Sequence, residues 1–236
     1  MKIALLGYGK MGKVIEDIAA KRGHEIVLRK GSQDSFEGLE QADIAIEFSV
    51  PDGAVNNISY ALKQGIPVVA GTTGWLHDYD KMVQLCEENH TGFIYGSNFS
   101  LGVNIFFELN KYLAKLMSKF PSYQCEIEEI HHTQKLDAPS GTAITLAERI
   151  IHEHSQLNEW QLNAPISEGI LPIQAHRIPE VPGTHTLIAQ SKIDTLTLTH
   201  EAHNREGFAL GSVVAAEFLL GKKGLFTMDD VLNFKP

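Results

Sequence analysis

The 236-residue chain carries 20 Lys plus Arg against 29 Asp plus Glu, a formal charge of −9, with 43% hydrophobic and 21% charged residues. Such a chain buries a core and is not disordered, and its acidic balance speaks against nucleic acid or an anionic membrane as a partner, since both need a basic face. No apolar run approaches the roughly 20 residues of a membrane span. Cys86 and Cys125 form no disulfide framework, which fits a cytoplasmic protein.

No internal repeat or low-complexity tract interrupts the chain. Residues 2–6 form a continuous apolar run that meets glycine at position 7, so the start reads as a buried strand and not as a signal peptide. Val14, Ile15, Ile18 and Ala19 then mark one face of a helix. Short buried strands are predicted at residues 26–28, 44–48, 68–70 and 93–95, with helices at 54–64 and 76–88 between them. This alternation implies parallel strands joined by right-handed crossovers, an α/β fold with a Rossmann-like doubly wound sheet.

After Ser97-Asn98-Phe99-Ser100 the rhythm changes. A long helix over residues 103–119 precedes a strand at 124–130, a loop at 131–140 and a helix reaching residue 154. Strand patterns at 170–176, 186–191 and 195–199 follow, then an apolar helix over 208–220. The second half thus reads as an α+β domain carrying an open mixed sheet.

Gly7-Tyr8-Gly9-Lys10-Met11-Gly12 matches G-x-G-x-x-G between the first strand and the first helix. In a dinucleotide site Gly7 allows the tight turn, Gly9 lets the backbone approach the pyrophosphate, and Gly12 lets helix pack on strand. The phosphates then rest on the helix N-terminus, where unpaired N–H groups favour negative charge. The alternative is a plain strand–helix turn. The second strand ends Leu28-Arg29-Lys30-Gly31-Ser32, without the carboxylate that reads a free ribose hydroxyl. Arg29, Lys30 and Ser32 therefore favour NADPH, with NADH possible; two solvated basic residues at a strand end are the plainer reading.

The densest polar cluster is Ile130-His131-His132-Thr133-Gln134-Lys135-Leu136-Asp137-Ala138-Pro139-Ser140-Gly141-Thr142-Ala143. His131, His132 and Lys135 can move protons or pair with carboxylates, and Ser140-Gly141-Thr142 opens a helix as a second anion site. A surface His pair and an ordinary helix cap are the alternatives. No metal is expected: H-E-x-x-H and C-x-x-C are absent, and adjacent histidines cannot easily ligate one ion.

With these residues in view, the chain resembles the dihydrodipicolinate reductases (4-hydroxy-tetrahydrodipicolinate reductases) of bacterial lysine biosynthesis nearly end to end. The resemblance rests on residues 7–12, Phe48-Ser49-Val50-Pro51, Gly71-Thr72-Thr73-Gly74, residues 97–104, the E-I-H-H-x-x-K-x-D-A-P-S-G-T-A block at 129–143, and Gly183-Thr184-His185. It implies that Gly71, Thr72 and Thr73 lie by the nicotinamide ribose and that Gly96, Ser97, Asn98 and Phe99 complete the cofactor cleft. It also implies His131 as proton donor and acceptor, Lys135 as proton donor, and His132, Ser140, Gly141 and Thr142 as contacts of a small dicarboxylate cyclic imine. Arg29 matches the contact to a 2′-phosphate, while Leu28 stands where relatives often carry the ribose-binding acid. Residues 1–98 plus 206–236 would form the dinucleotide domain. Residues 99–205 would bind substrate and build a homotetramer. Another two-domain NAD(P) dehydrogenase of amino-acid metabolism accounts for the glycine loop but not for the block at 131–142. A nucleotide-sensing regulator would need a partner-binding element, and none is visible in the sequence.

Overall fold

A computed structural model describes residues 1–204 and 206–234. In chain order the elements are β1 (Lys2–Leu6), α1 (Lys10–Lys21), β2 (Glu25–Lys30), β3 (Ile44–Glu47), α2 (Pro51–Lys63), β4 (Val68–Ala70), α3 (Tyr79–Glu88) and β5 (Gly92–Tyr95). They continue with α4 (Leu101–Met117), β6 (Gln124–His131), α5 (Gly141–Glu153), β7 (Leu157–Leu162), β8 (Gly169–Arg177), β9 (Thr184–Gln190) and β10 (Thr195–Glu201). The chain closes with α6 (Glu206–Leu219), β11 (Gly224–Phe226) and α7 (Met228–Val231). Two compact units result, Met1–Leu101 with Glu206–Pro236, and Gly102–Arg205. No helix among the described residues is long and apolar enough to cross a membrane.

In the first unit six strands run parallel in the order β11-β5-β4-β3-β1-β2. Ile3 and Leu5 of β1 pack with Ile15 and Ala19 of α1 and with Val213 and Ala216 of α6. Their alternates, Ala4 and Leu6, pack with Ile58 and Leu62 of α2 and with Met82 of α3. A strand buried on both faces has no polar alternation, which is why β1 reads as an unbroken apolar run. This is the Rossmann-like doubly wound sheet that the strand–helix alternation implies.

In the second unit the order is β10-β9-β6-β8-β7, antiparallel through the first three strands and parallel through the last three. Phe106, Phe107 and Ala114 of α4 and Leu146, Ala147 and Ile150 of α5 cover one face, meeting Cys125, Ile127, Ile173 and Leu187. The mixed sheet of the sequence reading is present.

Three details differ from the sequence reading. Helix α2 starts at Pro51, three residues early, because proline at the first helical position loses no hydrogen bond. The stretch 76–88 divides into a 3-10 turn, Leu76–Asp78, and α3. Strands β7 and β11 have no counterpart in the sequence pattern. Both are edge strands with little buried apolar surface, so they carry no hydrophobic periodicity.

Helix α6 lies against the segment after β5 through Gly211, where an added Cβ would fall 1.7 Å from the Phe99 carbonyl oxygen. The backbones cannot part without losing the packing of Phe99, Ala209 and Val213 in one cluster. Gly211→Ala should therefore destabilise the protein by about 3 kcal/mol. Urea unfolding followed by circular dichroism measures this, and a loss within error of zero contradicts the packing argument.

Candidate active site

The chain leaves β1 toward β2 on one side of the sheet and reaches β3 on the other, so a crevice opens at their carboxyl ends. Gly7 turns the chain there with φ +113°, and the amides of Gly7 and Tyr8 both donate to the Lys30 carbonyl, at 2.9 and 3.0 Å. A Cβ on Gly7 would lie 2.1 Å from the Phe48 carbonyl oxygen, and one on Gly12 would lie 2.4 Å from that of Gly7. The fold itself uses that space. Gly9 differs, because a Cβ there would meet nothing within 4 Å. Gly9 caps α1 with no side-chain hydrogen bond and no acid in the first turn, so the helix start faces open space with its positive end bare.

Beside the loop, Met11, Phe48, Ser49, Pro51, Gly71, Thr72 and Thr73 line a cavity of about 280 Å³. The Phe48 ring lies where a Cβ of Gly71 would go, and it stands 5.9 Å from the buried Phe99 ring. The Ser49 amide donates to Thr72 Oγ1 at 2.8 Å, and Trp75 Nε1 holds the Thr72 carbonyl at 2.6 Å. Glu47, fully buried beneath Ser49, accepts from its amide at 3.0 Å and from its hydroxyl; burial pushes its carboxyl up from the usual range. At the end of β5, the Gly96 amide is tied to the Ala70 carbonyl, and Asn98 Oδ1 accepts the Ser100 amide at 2.9 Å. Lys10, Thr73 and Ser97 are exposed at this rim.

Arg29 lies at the end of β2, but it is paired: its Nε donates to Glu16 Oε1 at 2.9 Å, and a second guanidinium nitrogen reaches the same oxygen. Tyr8 donates its hydroxyl to Glu16 Oε2. The hydrogen bond from Arg29 holds the Glu16 carboxyl below its usual range. Lys30 does not join Arg29. Its ammonium is buried, donates to the Gly31 carbonyl and sits 4.7 Å from the centre of the Phe36 ring.

In the second unit, the period of two on β6 puts Cys125, Ile127, Glu129 and His131 on one buried face. The first two meet the helices. The last two, with their cross-strand neighbours, form a polar site at the sheet's end. The register sets His185 of β9 opposite Glu129 and Arg177 of β8 opposite His131. Glu129 is fully buried and accepts the Ser140 amide on both oxygens, each at 3.1 Å. Arg177 donates to its Oε1 at 3.3 Å and to the Asp137 carbonyl at 2.6 Å, so one guanidinium joins the buried carboxylate to the polar loop. His131 Nδ1 lies 3.4 Å from Glu129 Oε2 without a hydrogen bond, and its ring meets that of His185 edge-on at 5.0 Å. Gly183 makes room for the His131 ring, since a Cβ there would come within 3.1 Å of Nε2.

Ser140 is the N-cap of α5. Its hydroxyl accepts from the Ala143 amide at 3.2 Å and contacts His185 Nε2 at 3.1 Å. Gly141 is exposed, with nothing within 4 Å of a Cβ position, so the helix start opens outward at this point. Lys135 pairs with Asp137 at 2.9 Å. Burial lowers the affinity of His131 for a proton, and the charges of Lys135 and Arg177 add to this against the pull of Glu129. Burial likewise pushes His185 down, to about 3. Both imidazoles are neutral in the folded protein at neutral pH.

Comparison with known proteins decides the family. The model described as dihydrodipicolinate reductase, N-terminus, matches residues 1–99, and that described as dihydrodipicolinate reductase, C-terminus, matches residues 102–232. The chain belongs to the dihydrodipicolinate reductase family. A 4-hydroxy-tetrahydrodipicolinate reductase of Christiangramia forsetii is 53% identical over 235 residues, covering 99% of this chain and 98% of that one. That of Thermosipho africanus is 32% identical with the same coverage. In fold, the chain matches a dipicolinate-bound dihydrodipicolinate reductase from Paenisporosarcina sp. TG-14 with a TM-score of 0.76 at 23% identity, over 96% of this chain and 97% of that one.

Family membership accounts for both the glycine loop and the block at 131–142, which a different two-domain dehydrogenase would not. Glu129 and His185 lie within the motifs that carry the resemblance without a site role being assigned to them, the sequence leaves open whether His176-Arg177 reaches substrate or a neighbouring subunit, and Glu16 has no place in the sequence-based site. A glutamate at a core-facing position of β6 was the available signal for Glu129. Strand register brings Arg177 and His185 to Glu129, and helix packing brings Glu16 to Arg29; for His185 the motif Gly183-Thr184-His185 was the available signal, and for Glu16 no local pattern offers one. Glu129, His131 and His185 also place one ligand-type atom each within 4.8 Å of one another. A cation among them would face the Arg177 guanidinium across a carboxylate already holding Ser140, so the donor set suits a proton network better than a metal.

Two outcomes follow. Arg177→Ala leaves the Glu129 carboxylate buried without its countercharge and should cost roughly 3 kcal/mol, the lower end for a broken buried pair because Ser140 still donates; denaturant unfolding measures it. The neutral histidines give a pH dependence. The unfolded chain binds protons that buried His131 and His185 refuse, so their contribution is full above about pH 6.5 and is lost as pH falls below it, that of His185 down to about 3. His185→Gln should reduce the acid-side slope of stability by up to about 1.4 kcal/mol per pH unit. An unchanged slope between wild type and variant contradicts the assignment.

Proposed function

We propose that this chain reduces the cyclic imine formed from 4-hydroxy-tetrahydrodipicolinate, yielding tetrahydrodipicolinate in lysine and diaminopimelate biosynthesis, with NADPH as the preferred reductant and NADH as an alternative. The observation that carries this reading is the 53% identity, over nearly the whole of both chains, to a protein named for that activity. The residues fit a dinucleotide: the space above Gly9 and the bare start of α1 suit a pyrophosphate, and the cavity by Gly71, Thr72 and Thr73 suits the nicotinamide ribose. Tyr8, Lys10, Met11 and the Gly96–Phe99 segment complete that cradle in this reading, and Arg29 takes a 2′-phosphate.

When bound, the dinucleotide supplies the hydride that adds at ring C4 of the conjugated imine. The resulting enamine needs one proton. His131 is neutral in the free site, and the arrival of a dicarboxylate beside it raises its proton affinity, offsetting the effect of Lys135 and Arg177. Substrate binding thereby loads the proton that His131 delivers, a general-acid step at the ring. Lys135 exchanges its Asp137 partner for a substrate carboxylate and serves as a further proton source. The amides of Gly141 and Thr142 at the start of α5, with Ser140 as the cap that orients this helix start and with His132, hold the other carboxylate, while the Ser140 amide stays on Glu129. Assembly as a homotetramer through the second unit's sheet and a cytoplasmic location belong to the same reading, the latter supported by two buried free cysteines.

The test is oxidation of NADPH in the presence of substrate made freshly from pyruvate and aspartate semialdehyde. His131→Gln should lower kcat by about 10²–10⁴ with NADPH affinity unchanged, and Lys135→Ala should lower kcat and raise KM together. A wild-type rate in His131→Gln across pH 6 to about 9 would remove His131 from the chemistry.

A further inference from the structure

In a doubly wound sheet the acid that reads a free ribose hydroxyl stands at the end of the second strand. Here that strand ends Leu28-Arg29-Lys30, and the neighbouring acid, Asp34, is turned back onto the Gly31 amide at 2.7 Å. A carboxylate is nevertheless present at the tip of β2. It comes from the helix: Glu16 of α1 reaches across to Arg29, and Tyr8, inside the glycine loop, donates its hydroxyl to the other oxygen of the same carboxylate. Lys30, the remaining candidate cation of this strand end, is buried against Phe36 and cannot relieve Arg29 of its partner.

We propose that Glu16 is a specificity-determining residue, which sets how strongly the chain distinguishes a 2′-phosphate from a 2′-hydroxyl on the adenosine ribose. The inference rests on the dinucleotide reading above and adds a residue that this reading does not contain. A 2′-phosphate, carrying close to two negative charges, must draw the guanidinium of Arg29 away from Glu16 and then lie beside the displaced carboxylate. A 2′-hydroxyl needs no such exchange, because it donates to the carboxylate where it stands. Arg29 therefore favours the phosphate and Glu16 opposes it. Tyr8 sharpens the opposition, since its hydroxyl keeps Glu16 at the pair while the loop holds the pyrophosphate. An acid supplied by α1 thus takes the place of the one missing from β2, and it narrows a preference for NADPH that Arg29 alone would make steep.

The measurement uses adenosine 2′,5′-bisphosphate and adenosine 5′-monophosphate, which differ only in the 2′-phosphate and carry no nicotinamide, titrated by calorimetry into the full-length protein at one low ionic strength. Glu16→Gln keeps the shape and helix propensity of the side chain and removes its charge. It should tighten the bisphosphate about tenfold, an effect of about 1.4 kcal/mol, and leave the monophosphate unchanged or weaker. Tyr8→Phe, which removes one hydroxyl, should shift the ratio of the two affinities the same way by a smaller factor. In an Arg29→Ala background Glu16→Gln should raise the preference for the bisphosphate by a smaller factor, because the competition for the guanidinium is gone and only the direct repulsion between carboxylate and phosphate remains. A wild-type protein that binds both probes, with an unchanged affinity ratio in folded Glu16→Gln, overturns the role of Glu16 and leaves the dinucleotide reading standing. If Glu16→Gln does not fold, an unchanged ratio in Tyr8→Phe overturns it instead. Folded wild-type protein that binds neither probe nor NADPH overturns the dinucleotide reading and this inference with it.

Discussion

A carboxylate removed from water must be met by donors and countercharge, or it does not stay ionised. Glu129 is fully buried at the end of β6, and the second unit is arranged around meeting that need. Its two oxygens take the Ser140 amide, its Oε1 takes Arg177, and His131 and His185 flank its Oε2. Each partner does something further. Ser140 starts α5, Arg177 holds the Asp137 carbonyl and so the polar loop, and the two histidines stay neutral and close together. Satisfying one buried charge therefore places the loop, the helix start and the His131 imidazole in one geometry.

The first unit solves a different problem, which is how to leave space and bare amides for an anion inside a close-packed sheet. The glycines before and after Gly9 are filled by the fold's own backbone, whereas Gly9 is left open at an uncapped helix start. Packing pressure and an open backbone are thus separated by only two or three residues of sequence. At β2 the second turn of α1 brings Glu16 to Arg29, so the carboxylate at the strand end comes from a helix and not from the strand.

Much of this is legible in the sequence. The apolar run of residues 2–6, the glycine loop behind it and the strand–helix alternation state a parallel sheet with a helix-start anion site, because burial on both faces and the 3.6 and 2.0 periodicities are local properties of the chain. The cluster from His131 to Thr142 stands out in the sequence as two histidines and a lysine ahead of a Ser-Gly-Thr helix start, a pattern that a surface His pair and an ordinary cap also produce, and it is the family resemblance that reads it as a site. The edge strands β7 and β11 were invisible, having little apolar surface to pattern.

What only the tertiary structure decided is which polar groups meet. Glu129 and His185 are 56 positions apart by their numbers, and Arg177 lies 48 from Glu129, yet the β6 register with β8 and β9 sets them side by side. Glu16 and Arg29 sit on different elements, and nothing in either segment says that the helix face and the strand end converge. Lys30 shows the converse: beside Arg29 in sequence, it turns into the interior against Phe36. Periodicity determines which face of an element a side chain occupies, so the sequence alone determined the layers, the glycine turn at the start of α1 and the polar loop before α5. Partnership depends on strand order, register and helix crossing, which arise from the whole chain's packing, and that is why the countercharges of both sites appear only in three dimensions.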